Sequence, residues 1–234
     1  MRKILFTDGK HPLVGELSKL LEAEGYEVFV NNSDITTKEG IRELMAKTGT
    51  PDAVVISGYA NSRASLDGDD ADADAIVAAV EENILSAFQA AKHFGTKMLE
   101  EGRGTILFLS SIFADKPTGG NPAYAISQGA LQMFMRELSM FFGNLGLRSN
   151  MIKLAPLASE DVTFESDVVT ATYDIETKVP THLRVDAQDA LGAILYFLSD
   201  YAKNANGTDL KLDGGLLYFY GDRSYTPVKE VDLP

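Results

Sequence analysis

Gly104-Thr105-Ile106-Leu107-Phe108-Leu109 is a short apolar run rich in strand formers, and Ser110-Ser111 ends it where a parallel strand opens into a cleft. Twelve residues separate Ser111 from Tyr124, which stands in Asn121-Pro122-Ala123-Tyr124-Ala125-Ile126-Ser127-Gln128. Asn121 is the predicted N-cap and Pro122 the first residue of a helix running to about Phe142. Tyr124 and Gln128 are four apart, so they lie one turn from each other on one face. Strand and helix therefore bring a serine and a tyrosine to one place.

Toward the N-terminus the pattern alternates. Lys3 to Thr7 reads as a buried strand, Leu13 to Glu24 as a helix with Leu13, Leu17, Leu20 and Leu21 on one side, and Gly25 as its C-terminal stop. Glu27 to Val30 is a second strand, Thr36 to Ala46 a short helix capped by Thr36 or Thr37, and Ala53 to Ile56 a third strand. This βαβαβ order predicts an α/β fold, a doubly wound parallel sheet with helices on both faces. Ala75 to Glu100 is the longest helical pattern, and Asn83 lies within it. Further on come a strand at Leu147 to Pro156, an amphipathic helix at Asp189 to Asp200 and a last strand at Leu210 to Leu212.

The 234 residues suffice for one well-cored domain. A net charge of −13 argues against nucleic acid and against an anionic membrane surface as partners. With no cysteine there is neither a disulfide framework nor a thiolate site, and the three histidines, His11, His93 and His182, are too scattered to bind a metal. The carboxylates Asp67, Asp69, Asp70, Asp72 and Asp74 lack the pattern of a calcium loop and read as a solvated face. Met1-Arg2-Lys3 precedes too little apolar chain for a signal peptide, and no stretch is long enough to span a bilayer, so the expected compartment is the cytoplasm.

The Ser111 to Tyr124 spacing resembles the short-chain dehydrogenase/reductase family, where a serine precedes the tyrosine of a YxxxK motif. Asn83, at the family's distance before Ser111, and the ending Asp213-Gly214-Gly215 resemble it too. The resemblance implies a Rossmann-like sheet of about seven strands over residues 1–221, with a C-terminal tail at 222–234. It also implies roles: a tyrosine that exchanges a proton, a serine that holds the substrate oxygen, an asparagine that supports a relay water, and a lysine that orients the nicotinamide ribose and lowers the tyrosine pKa. Gln128 occupies the lysine position and carries no charge, so the set Asn83, Ser111, Tyr124, Gln128 is expected to be vestigial.

The cofactor loop departs further. The family writes it TGxxxGxG, and here Asp8, Pro12 and Val14 occupy the three glycine positions. Asp8 sets a negative charge beside the phosphates, Pro12 removes an N–H donor, and Val14 fills the space of close approach. Asn31 and Asn32 offer no charge to the adenosine ribose, and Tyr59 replaces the last glycine after the third strand. No nicotinamide is therefore expected in this chain.

In the family, the helices matching 75–100 and 122–142 build the interface between subunits, and the second shows more apolar surface here than one buried stripe needs. The leading expectation is a non-catalytic member that pairs through these helices with an active paralogue in a tetramer, NAD residing only in the partner. A second reading keeps Ser111 and Tyr124 for non-redox chemistry on an oxygen, as in halohydrin dehalogenases, which share this fold; Lys10-His11 and Ser159-Glu160-Asp161 are similar, but those enzymes place an arginine where Gln128 stands. A third is a dehydrogenase with an unusual loop, in which Lys10 or Lys153 supplies the missing cation.

Overall fold

The central strands of the sheet are short and largely apolar on both faces, the mark of a sheet covered on two sides. The computed structural model describes residues 2–58, 71–118, 121–155, 157 and 179–218. Strands β1 (Lys3–Phe6), β2 (Glu27–Val30), β3 (Ala53–Ile56), β4 (Thr105–Ser111), β5 (Arg148–Leu154) and β6 (Asp209–Leu212) pair in parallel in the order β2-β1-β3-β4-β5-β6. Ile4, Phe6, Val55, Leu107 and Ile152 pack beneath α1 (Val14–Ala23) and α6 (Ala187–Leu198). Leu5, Val54, Ile106, Phe108 and Met151 pack beneath α2 (Lys38–Thr48), α4 (Ser86–Glu100) and α5 (Pro122–Gly143).

Among the described residues the sheet has six strands, not the seven expected. The doubly wound order carries a further strand outside β2, and here the chain passes from β2 into α2 without one. The reason is local. Asn31 to Thr36 holds no apolar run, and its polar side chains close turns on the main chain: Asn31 Nδ2 donates to the Ser33 carbonyl at 2.8 Å, and Thr36 N–H donates to Asp34 Oδ1 at 2.8 Å.

The winding direction reverses at β1 and β3, so the carboxyl ends of β1, β3 and β4 share one edge, where ligands of such sheets bind. The helix predicted over 75–100 begins earlier, as α3 (Ala71–Val80), and a π-helical turn, Glu81–Leu85, joins it to α4. Such turns insert a residue and are frequent at functional sites. Asn83, fully buried, lies in this one. The helix expected to begin at Asp189 begins at Ala187: Asp186 Oδ1 caps Gln188 N–H and Asp189 N–H at 2.8 and 3.1 Å, and Asp189 Oδ2 accepts Asp186 N–H at 3.1 Å. Among the described residues no helix is long and apolar enough to cross a membrane. The expectations for Tyr59, for most of the acidic loop, for residues 158–178 and for the tail lie outside the described residues.

Candidate functional site

β4 ends in two serines whose side chains serve different neighbours. Ser111 shares a hydrogen bond with the Tyr124 phenol, and its Oγ accepts Phe113 N–H at 3.3 Å. Ser110 Oγ donates to Gln128 Oε1 at 2.8 Å, and the same oxygen accepts Ser111 N–H at 3.2 Å. As predicted, Asn121 caps α5, its Oδ1 accepting Tyr124 N–H at 3.2 Å, with Pro122 at the first helical position. The structure thus brings Ser111, Tyr124 and Gln128 together. Asn83 belongs to the same group by a relay, its Nδ2 donating to Ser127 Oγ at 3.0 Å, and that hydroxyl donating to the Tyr124 carbonyl at 2.9 Å. The Phe113 ring meets Tyr124 edge-on at 6.2 Å.

Among the described residues no cation offsets the desolvation of the phenol. Burial pushes Tyr124 up to about 12, and the Ser111 hydrogen bond offsets this only in part. Lys10 pairs instead with Glu82 at 2.9 Å. Lys153, wholly buried on β5, pairs with Asp115 at 2.7 Å and Asp209 at 3.1 Å. Lys211 Nζ joins at 3.0 Å from Asp209, and Gln132 Nε2 donates to Asp115 at 3.1 Å. Burial raises the Asp115 and Asp209 carboxyls, but the two lysines outweigh it and hold both below the usual range. Sequence reasoning missed this cluster. Gln132, one turn beyond Gln128 on the same face, was its one legible sign; Asp115 and Asp209 meet Lys153 only through the fold.

The β1–α1 loop is closed by hydrogen bonds within it and to the residues that follow β2 and β3. Asp8 N–H donates to Ser57 Oγ at 3.0 Å, Gly9 N–H to the Asn31 carbonyl at 2.7 Å and Lys10 N–H to Asp8 Oδ1 at 2.9 Å. His11 then takes the donors at the start of α1: its Nδ1 accepts Leu13 N–H at 3.2 Å, and its carbonyl accepts Val14 N–H at 3.0 Å. Burial holds this imidazole neutral down to about 4. Pro12 contributes no donor, and Val14 is buried in the core. A diphosphate at such a loop relies on free main-chain N–H groups and on a helix N-terminus. Here those of Asp8, Gly9, Lys10, Leu13 and Val14 already have acceptors within the chain, and a Cβ on Gly9 would lie 2.2 Å from Asn32 Oδ1, so the end of β2 presses directly against the loop. These residues do not fit a dinucleotide diphosphate. Nothing in the spacing of His11 marked it as the acceptor for Leu13 N–H.

A family model described as enoyl-(acyl carrier protein) reductase matches residues 2–217. The chain belongs to the short-chain dehydrogenase/reductase family. Among its relatives, a short chain aldehyde dehydrogenase 1 of Euphorbia lathyris is 28% identical over 230 residues, covering 91% of this chain and 78% of the relative. Nodulation protein G of Azospirillum brasilense is 26% identical over 203 residues, covering 84% and 80%. The fold of this short-chain dehydrogenase/reductase is that of a gluconate 5-dehydrogenase from Burkholderia cenocepacia solved with NADP and tartrate, at a TM-score of 0.78, 19% identity, and coverage of 94% of this chain and 96% of that one.

Proposed function

We propose that this chain is a cytoplasmic, non-catalytic subunit of an oxidoreductase complex, associating with an active paralogue of the same family that alone carries NAD. The observation that carries this reading is the closed loop from Asp8 to Val14, whose main-chain donors are already engaged. Two further observations support it. Gln128 holds the lysine position beside the half-buried Tyr124, and its carbonyl is committed to Ser110 and Ser111. The two helices that meet between subunits in this family expose apolar side chains: Val77 and Phe88 from α3 and α4, Ile126, Met133, Met140 and Phe141 from α5. In this pattern of losses the chain resembles the non-catalytic subunit of 2-[hydroxy(phenyl)methyl]succinyl-CoA dehydrogenase of anaerobic toluene breakdown, and a tetramer is the assembly proposed.

Isothermal titration with NAD(H) and NADP(H) tests the reading. Binding weaker than about 1 mM is expected, a free energy under roughly 4 kcal/mol. Micromolar binding would overturn the proposal, as would the absence of any co-purifying paralogue with an intact glycine loop and YxxxK. The surviving Ser111–Tyr124 hydrogen bond favours one alternative, non-redox chemistry on a substrate oxygen. Halide release from a vicinal haloalcohol, abolished by Tyr124→Phe, would establish that alternative.

A further inference from the structure

At the amino edge of the sheet, opposite Ser111 and Tyr124, lies a cleft of about 720 Å³. Four cations line it: Arg2 and Lys3 at the start of β1, Arg103 just before β4, and Arg148, the first residue of β5. Two carboxylates, Asp52 and Glu101, also line it, and both are paired with Arg103, Glu101 at 2.9 Å. Local charge is therefore positive in a chain whose net charge is −13.

The other two arginines have no carboxylate within 4 Å among the described residues. Arg2 donates from one guanidinium nitrogen to the Leu198 carbonyl at 3.0 Å. Arg148 donates to the Phe197 carbonyl at 2.7 Å and the Ala205 carbonyl at 3.5 Å. Phe197 and Leu198 end α6, so both side chains cap the negative end of its dipole. These bonds occupy one donor of Arg2 and two of Arg148, and a guanidinium has five. The remaining donors belong to side chains already ordered against the main chain, and a fork held in one geometry loses little entropy when an oxyanion arrives. Lys3 lines the cleft as well, but its ammonium turns to the other face of β1, 5.9 Å from the Phe29 ring centroid.

We propose that this cleft is a binding site for a small diphosphate-bearing anion, held by Arg2 and Arg148. Two guanidinium forks suit phosphoryl oxygens, and two phosphoryl groups supply the charge that a single anion at an exposed site lacks. The site lies at the other end of the sheet from the β1–α1 loop and does not depend on the proposed role of the chain.

Titration of the full chain at low ionic strength, with inorganic pyrophosphate in one series and ADP in another, tests this. Pyrophosphate is expected to saturate with a dissociation constant below about 1 mM, weakened roughly tenfold by Arg2→Gln and again by added salt. Arg148→Gln should weaken it further; because that change also frees two carbonyls, exposed Arg2 carries the test if the Arg148 variant does not fold. Equal affinity for the two probes identifies the diphosphate alone as the ligand, and tighter ADP binding identifies a nucleoside diphosphate. Absence of saturable binding by either probe, binding undiminished in Arg2→Gln, or binding abolished by Asp8→Asn at the opposite edge would overturn the proposal.

Discussion

Ser110 donates its hydroxyl to Gln128 Oε1 across 2.8 Å, joining the last turn of a buried strand to the first turns of α5. The same oxygen also holds the Ser111 amide, so the position that in this family carries the charged lysine serves here as a tie between two elements.

Gln128→Lys strips an acceptor from the Ser110 hydroxyl and the Ser111 N–H and buries an ammonium. A loss of about 2–4 kcal/mol in urea unfolding is expected. The new cation should bring the Tyr124 phenol below its present value of about 12, read by phenolate absorbance. A variant as stable as the parent would show that Gln128 ties nothing together.

His11→Gln probes the turn that leads into α1. The imidazole is neutral in the folded protein down to about 4, whereas in the unfolded chain it takes a proton near 6.5. Its folded pKa is the lower, so the unfolded state binds more protons between those values. Stability is full above 6.5 and falls with pH through that window, by roughly 3 kcal/mol when complete. Unfolding midpoints of parent and variant, taken between neutral pH and 4.5, should converge as pH falls. Parallel curves would contradict the buried neutral imidazole.

Lys153→Met leaves Asp115 and Asp209 to Lys211, with Gln132 donating to the first and Arg136 at 3.9 Å from the second. Breaking one side of a buried ion network costs about 3–5 kcal/mol. Both carboxyls sit below their usual range, so the stability they lend is present above the unfolded carboxylate pKa and is lost as pH falls through their folded values. The variant should therefore show a weaker acid dependence as well as a lower midpoint. A loss under about 1 kcal/mol would mean the cluster is dispensable.

Met140→Glu with Phe141→Glu tests the α5 face. Both side chains are mostly exposed, 79% and 68%, so the folded monomer should change stability by no more than about 0.5 kcal/mol each. The assembled mass by analytical ultracentrifugation should nonetheless drop, because two carboxylates cannot be desolvated in an apolar contact. An unchanged mass would place the subunit contact elsewhere.

The parallel sheet, its order of elements, the Asn121 cap and the meeting of Ser111 with Tyr124 were all legible, since each follows from periodicity or from spacing within one segment. The departures at Asp8, Pro12 and Val14 were legible too, as a list of poor residues for a phosphate. Their consequence was not. That His11 would fold back onto Leu13 and Val14, or that Gly9 would rest against Asn31 and Asn32, depends on how near β2 and the loop come to each other. The missing strand was likewise misjudged, because family resemblance weighed more than the polar composition of Asn31 to Thr36.

Local order decided which segments became strands and helices, and binary pattern decided that both faces of the sheet would be covered; for these the chain needs no knowledge of its distant parts. Charge partners are a different matter. Lys153 and Lys10 were equal candidates to activate Tyr124, and only the three-dimensional arrangement sends one to Asp115 and Asp209 and the other to Glu82. Electrostatic attraction acts over a few ångströms while these residues are separated by tens of positions in the chain, so which cation meets which carboxylate is set by the packing of strands and helices, and by nothing the residues carry in themselves.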